Sequence, residues 1–347
     1  MRRTYVVNTI YHIYLSIIHS LRESENPSKD CGENLLFVVQ STPMIERLIP
    51  KLKNRFFRDV HVISRREEHI KNIGKLNYTF NRKRKLLPYL EQKHSILKGE
   101  KDFINKSQIY LCGSDSSKSY FMYTYAKNNI FMIEDGARTY TKRQGYFEQF
   151  IKSYITKTPL GGGFDSEITK LYAQFPEKLP KELQSKATEL NIKKEVDKFE
   201  QGLNDELFEI FLSKETFKIE GKQLALVLTQ PISEDGLVLN EQVKIAIYKD
   251  MISKVPSHLK VILKTHPRER TQYENHFKDI TVLPALFPIE LLSLNPNFYF
   301  QEGYTLFSTA LSNLDIVKTR YFLGKSYVDK FTSKSAIDLI NNTASIT

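Results

Sequence analysis

The sequence predicts an α/β protein made of two doubly wound domains, each a parallel sheet with helices on both faces, facing a central cleft. Three observations carry this. Short apolar, β-rich runs alternate with stretches of helical periodicity. The alternation stops in a polar stretch near the middle and then restarts. The chain has 347 residues, enough for two domains of ordinary size.

The first domain is read over residues 1–175. TYVVNTI is a strand, and YHIYLSIIHSL after it is a helix. LLFVV is a strand, followed by a helix around PMIERLIPKL. VHVIS, QIYLCG and IFMIEDG are further strands, with the helical SKSYFMYTYAKN before the last. From 176 to 221 the chain is polar and reads as helical, which fits a connector or a dimerisation element. The second domain spans 222–347. LALVLTQP is a strand, NEQVKIAIYKDMISKV a helix and LKVILKTHP a strand. ITVLPAL is short and β-like, IELLSLN a helix, FYFQEG a strand and TLFSTALSNL a helix.

The bulk numbers are those of a soluble globular protein: 41% hydrophobic and 26% charged residues. No apolar run reaches the length of about 18 residues that a spanning helix needs. The opening MRRTYVVNTIYHIYLSIIHSL is too broken by Asn8, Tyr11, His12 and Ser16 for a signal peptide. Cys31 and Cys112 make no CxxC and no disulfide framework, so a reducing cytoplasm is expected. The net charge of +11 favours polyanions or an anionic membrane face, and the basic run Arg82–Lys85 is its densest point. No nucleic-acid-binding pattern accompanies that run, so nucleic acid is not an expected partner.

Ligands of doubly wound sheets sit beyond the carboxyl ends of the strands. Three short signals stand there: Glu134-Asp135-Gly136, Glu234-Asp235-Gly236, and His266-Pro267 within LKTHPRER. An acid pair before glycine is also a common turn. Taken together, a carboxylate at a strand end can take a hydroxyl proton, and a histidine can act as a general acid toward a departing phosphate. Pro267 ends the strand, because it has no N–H for the ladder. Lys264 adds positive charge, and Thr265 lies between it and His266. Glu290, at a helix start, could accept from ribose hydroxyls. Gly303, Thr305, Ser308 and Thr309 read as a glycine turn entering a helix, where N–H groups and hydroxyls suit a phosphate. Ordinary helix capping explains Thr305 equally well.

The chain lacks a Walker A loop, GxGxxG, GxSxG, HExxH and any DxD, and its other histidines make no metal spacing. His12 is among those read as surface or packing residues.

The acid-acid-Gly signals, His266-Pro267 and Ser308-Thr309 resemble the shared marks of the bacterial sialyltransferases, most closely glycosyltransferase family 52, the lipooligosaccharide and capsule type. The step of 42 residues from His266 to Ser308 and the opening VVNTIYHIYLSI are similar too. The resemblance covers most of the chain, through motifs of two or three residues. It implies a GT-B architecture of two Rossmann-like domains. It implies an inverting enzyme moving sialic acid from CMP-sialic acid to a terminal galactose of a bacterial surface glycan. Glu290 would hold the ribose and Ser308 and Thr309 the phosphate, with Lys264, Thr265, Pro267 and Gly303 beside them. His266 would assist the leaving CMP, and Asp235 or Asp135 would be the base, Asp235 being favoured by LTQPISEDG. No cofactor or metal is expected. A homodimer and peripheral contact with the inner membrane are compatible. The same scaffold would serve another nucleotide sugar, and a basic, non-catalytic binder of nucleic acid or membrane is the contrasting reading.

Overall fold

The computed structural model describes residues 1–24, 33–40, 43–64, 66–113, 116–140, 160–211, 223–285, 287–294 and 298–333. The chain divides into two compact units, Met1–Leu203 and Asn204–Thr347.

The first unit holds seven strands: β1 (Arg3–Val7), β2 (Asn34–Val39), β3 (Asp59–Ile63), β4 (Gln108–Cys112), β5 (Ile130–Ile133), β6 (Ile168–Ala173) and β7 (Ala187–Glu189). Their order is β3-β2-β1-β4-β5-β6-β7 and every pairing is parallel. β1, β2 and β5 are buried at every position, because helices cover both faces of such a sheet. That is why they read as unbroken apolar runs. The helix α1 (Ile10–Arg22) follows β1. Thr9 caps it, accepting the His12 N–H at 3.1 Å.

The second unit holds β8 (Leu224–Leu228), β9 (Lys260–Lys264), β10 (Thr281–Leu283), β11 (Phe300–Thr305) and β12 (Val317–Phe322), in the order β10-β9-β8-β11-β12, again all parallel. The helix Glu241–Ser253 crosses from β8 to β9, capped by Asn240 on the Val243 N–H at 3.0 Å. Strand order reverses between β1 and β4 and between β8 and β11. The carboxyl ends flanking those points are where this architecture builds ligand sites.

The structure corrects two expectations. The segment from 176 is not helical throughout, since β7 lies in it and pairs with β6 as a sheet edge. Its ATE sequence has no apolar run because an edge strand is only half-buried. The last stretch of the expected connector, 212–221, lies outside the described residues. The expected helix over Thr305–Leu314 is a five-residue 3-10 turn, Thr309–Asn313, and the strand before it runs on to Thr305. Thr305 Oγ instead donates to the Leu228 carbonyl at 3.2 Å and accepts the Ser308 N–H at 3.2 Å, which ties the chain to the sheet rather than opening a helix. Gly303 is therefore inside β11 and not at a turn. A Cβ there would stand 2.6 Å from Leu311 Cδ1 and 2.7 Å from Val317 Cγ1. Gly303→Ala is expected to cost about 1–3 kcal/mol through overpacking. Thermal unfolding checks this, and the surviving folded fraction should keep its affinity for nucleotide.

Candidate active site

The carboxyl end of β9 gathers most of the predicted residues. The Thr229 N–H at the end of β8 donates to the Lys264 carbonyl at 3.0 Å, which carries the ladder one step past the strand. The Lys264 side chain is buried, and its ammonium donates to the carbonyls of Thr265 (2.5 Å) and Ala285 (2.7 Å). Burial pushes its pKa down to about 7, against the opposing pull of Glu290 and Glu269. Thr265 is buried beside it. His266 is half-buried and Pro267 exposed.

The His266 ring is held by its own loop. Nδ1 accepts the Arg268 N–H at 3.2 Å, so in the neutral ring the hydrogen sits on Nε2. The His266 backbone N–H donates to Glu269 Oε2 at 2.7 Å. Burial lowers the imidazole pKa, Arg268 and Lys264 lower it further, and Asp235 and Glu234 oppose them. The ring therefore waits as a neutral donor that a nearby anion would turn into an acid.

Three acids support this loop, and they differ in kind. Glu269 is the buried brace: it accepts from Thr229 Oγ at 2.5 Å and from the Tyr273 hydroxyl at 2.7 Å. Glu234 pairs with the fully buried Lys244 at 2.8 and 2.9 Å and accepts the Arg270 N–H at 3.0 Å. Burial raises the Glu234 carboxyl, but these bonds outweigh it and hold the pKa at about 2. Asp235 is the surface member. Arg268 grips both its oxygens, at 2.6 and 2.9 Å, and the Asp235 side chain stays 37% exposed. Glu234 thus belongs to the framework. Glu234→Gln would leave Lys244 facing only Glu269, 3.9 Å away. Stranding a buried charge costs about 3 kcal/mol, and a lower urea midpoint at unchanged slope is the expected reading.

Glu290 lies in the first turn of the 3-10 segment Ile289–Leu294, close enough to Lys264 to act on its charge. Ser308 follows β11 on the far side of β8. Its loop is tied to β8 by Gln230, whose Oε1 accepts the Phe307 N–H at 2.7 Å. Thr309 opens the short 3-10 turn, which is too brief to supply a helix dipole. Lys264, Thr265, His266, Pro267, Asp235 and Glu290 thus cluster around the end of β9. Ser308 and Thr309 lie two strands away in the same sheet, and Gly303 serves packing.

The other acid pair builds a second cluster, at the switch point of the first unit. Glu134 is buried. It accepts from the Tyr11 hydroxyl (2.9 Å), from the Gln174 N–H (2.7 Å) and side chain (3.2 Å), and from the Tyr140 hydroxyl. Asp135 Oδ1 lies 2.8 Å from Nε2 of His12, a side chain only 3% exposed. The Asn8 N–H approaches His12 Nδ1 at 3.4 Å, which leaves the ring hydrogen to point at Asp135. Burial lowers the His12 pKa while Asp135 pulls it up. Gly113, at φ +76°, lets Asp135 in: a Cβ there would meet its Oδ2 at 2.7 Å.

Sequence reasoning missed His12, Arg268 and Glu269. The signal for the last two was their place in LKTHPRER, directly after the candidate histidine. For His12 it was the position just past the first strand, at the start of α1. Among the described residues no three His, Cys, Asp or Glu side chains converge on a candidate metal site. No helix there is long and apolar enough to cross a membrane.

Two parallel, helix-flanked sheets with these clusters at their carboxyl ends define a glycosyltransferase of the GT-B type. The chain belongs to glycosyltransferase family 52, whose model matches residues 61–324. The fold is shared with an α/β-galactoside α-2,3-sialyltransferase of Photobacterium phosphoreum. That likeness has a TM-score of 0.53 and 13% identity, over 92% of this chain and 91% of that one. A Photobacterium 2,6-sialyltransferase, solved with CMP and lactose, has a TM-score of 0.54 and 10% identity, over 92% and 71%. The UDP-GlcNAc 2-epimerase of Methanocaldococcus jannaschii has 0.51 and 14%, over 97% and 92%. By sequence, an uncharacterised protein of Haemophilus influenzae is 31% identical over 191 residues, which are 53% of this chain and 58% of that protein. The chain thus spans less than two thirds of that relative.

Proposed function

We propose that this enzyme transfers sialic acid from CMP-sialic acid to a terminal galactose of a bacterial surface glycan, lipooligosaccharide or capsule, with inversion and without a metal. The observation that supports this most is the end of β9, where His266 stands beside Asp235 and the Arg268 that grips it. In this reading the acceptor hydroxyl oxygen bonds to the anomeric carbon as the bond to CMP breaks. Asp235 takes the hydroxyl proton, and Nε2 of His266 gives a proton or a hydrogen bond to the leaving phosphate oxygen. Arg268 is drawn from Asp235 by the incoming anion, which frees the base as the donor binds. Glu290 holds the ribose, and Ser308 and Thr309 the phosphate. Thr265 and Pro267 shape the floor, and buried Lys264 adds positive field from beneath.

A second reading of the base rests on the His12–Asp135 pair. A buried imidazole orients that carboxylate, which makes Asp135 the alternative proton acceptor or an acceptor-sugar contact.

Transfer of sialic acid to lactose in the presence of EDTA tests the proposal. Product formation with CMP inhibiting and UDP not inhibiting is the expected result. Inhibition by UDP alone would assign a different nucleotide sugar to the same scaffold. Loss of activity in EDTA, restored by a divalent cation, would overturn the metal-free mechanism.

A further inference from the structure

We infer that Arg320 is a positioning residue for donor binding, one of two clamps that hold the Ser308–Thr309 loop ready for a nucleotide phosphate. The inference rests on the reading of Ser308 and Thr309 as the phosphate contacts. The loop leaves the sheet at Thr305 and rejoins it at Val317, between the adjacent strands β11 and β12. Its ends are buried, at Leu306 on one side and at Leu311 and Leu314 on the other. Its middle is open: Phe307 and Ser312 are exposed and Ser308 is half-buried. The regular structure within it is the five-residue 3-10 turn Thr309–Asn313. Such turns have poor hydrogen-bond geometry and do not hold a chain rigid unaided.

Both clamps come from outside the loop and grip its backbone. Gln230, just past β8, accepts the Phe307 N–H on Oε1 at 2.7 Å, which fixes the approach to Ser308. Arg320 fixes the exit. It stands on β12, in register with Gly303 of β11. Its Nε donates to the Leu311 carbonyl at 3.0 Å and its Nη2 to the Leu314 carbonyl at 2.6 Å. Both donors belong to one planar guanidinium, so their spacing is set by covalent geometry, which a lysine cannot reproduce. Arg320 is half-buried over the turn, whereas its β12 neighbours Lys318 and Thr319 are exposed. A loop that strays from its competent conformation weakens its ligand by the fraction of time it spends there. Clamping both sides of Ser308 and Thr309 keeps that fraction high before the donor arrives.

The test is calorimetric titration of the full chain with CMP and with UDP, beside steady-state kinetics. Arg320→Ala is expected to weaken nucleotide binding on the order of tenfold, the effect of a loop competent about a tenth of the time. KM for the donor should rise to match, with kcat and the acceptor KM nearly unchanged. Arg320→Lys should fall between alanine and wild type. The stoichiometry of the titration reports the folded fraction, so lost folding is read apart from lost affinity. Gln230→Ala should also weaken binding, and the double variant should lose much less than the product of the single losses, because both clamps act on one loop. Losses that multiply in full would make Arg320 a direct phosphate contact and overturn its positioning role. Wild-type affinity in Arg320→Ala overturns it too, as does a fall in kcat at unchanged affinity. Wild type that binds UDP and not CMP sinks the donor assignment alone; the variants are then compared with UDP, and the same outcomes decide. Wild type that binds neither nucleotide overturns the phosphate loop and its clamps together.

Discussion

His266→Ala is expected to lower kcat for sialyl transfer at least about 100-fold, the scale of a positioned general acid. The fold should survive the change, because the loop is braced by the His266 backbone N–H on Glu269 and by Glu269 on Thr229 and Tyr273, not by the ring. His266→Gln separates the two roles of Nε2. If a hydrogen bond to the phosphate suffices, glutamine restores part of the lost rate. If a proton must move, glutamine matches alanine. The pH profile gives a second reading. The imidazole pKa lies below its ordinary value, chiefly through burial, so the free enzyme is acid-competent only at low pH. The wild-type kcat/KM should therefore fall as pH rises through a midpoint below about 6.5. The midpoint for kcat should be higher, because a bound phosphate stabilises the imidazolium. The alanine variant should lose this limb. Wild-type kinetics in His266→Ala would reduce LKTHPRER to a strand end.

Legibility in the sequence followed burial. Strands covered on both faces, such as LLFVV and LALVL, carry their own signal in an unbroken apolar run. The edge strand β7 does not, because ATE faces partly to water and is made a strand only by pairing with β6. The Thr305–Leu314 segment misleads in the opposite way. It has helical spacing of apolar residues, yet Thr305 and Ser308 satisfy their bonds across the sheet and within the turn. For the candidate site, Glu134-Asp135 and His266-Pro267 stand just past the ends of β5 and β9, but the sequence does not say which groups hold which. Arg268 on Asp235 joins residues 33 apart, and His12 on Asp135 joins residues 123 apart. Such contacts exist only once the sheet has formed. The two EDG copies, alike on paper, become opposites in the structure. Glu234 is neutralised by a buried lysine, whereas Glu134 is held by hydroxyl and amide donors.

Those environments decide how the two aspartates should be tested. Asp235→Asn is expected to lower kcat about 1,000-fold, within the range of a lost general base, and to leave folding unchanged. An exposed pair such as Asp235–Arg268 contributes about 1 kcal/mol or less to stability. Asp135→Asn should cost less than about tenfold in kcat, but it withdraws the carboxylate from buried His12. Its activity must therefore be measured where the variant is still folded, by thermal unfolding. Arg268→Ala discriminates further. Removing the grip leaves Asp235 available but deprives the donor anion of its partner, so KM for the donor should rise more than kcat falls. If Asp135 is the base, the ranking inverts: Asp135→Asn takes the 1,000-fold loss, His12→Ala follows it, and Asp235→Asn resembles Arg268→Ala. The low-pH limb of kcat/KM settles the matter between them, because it reports the carboxylate that must be ionised. That limb should vanish only in the variant that has lost the base.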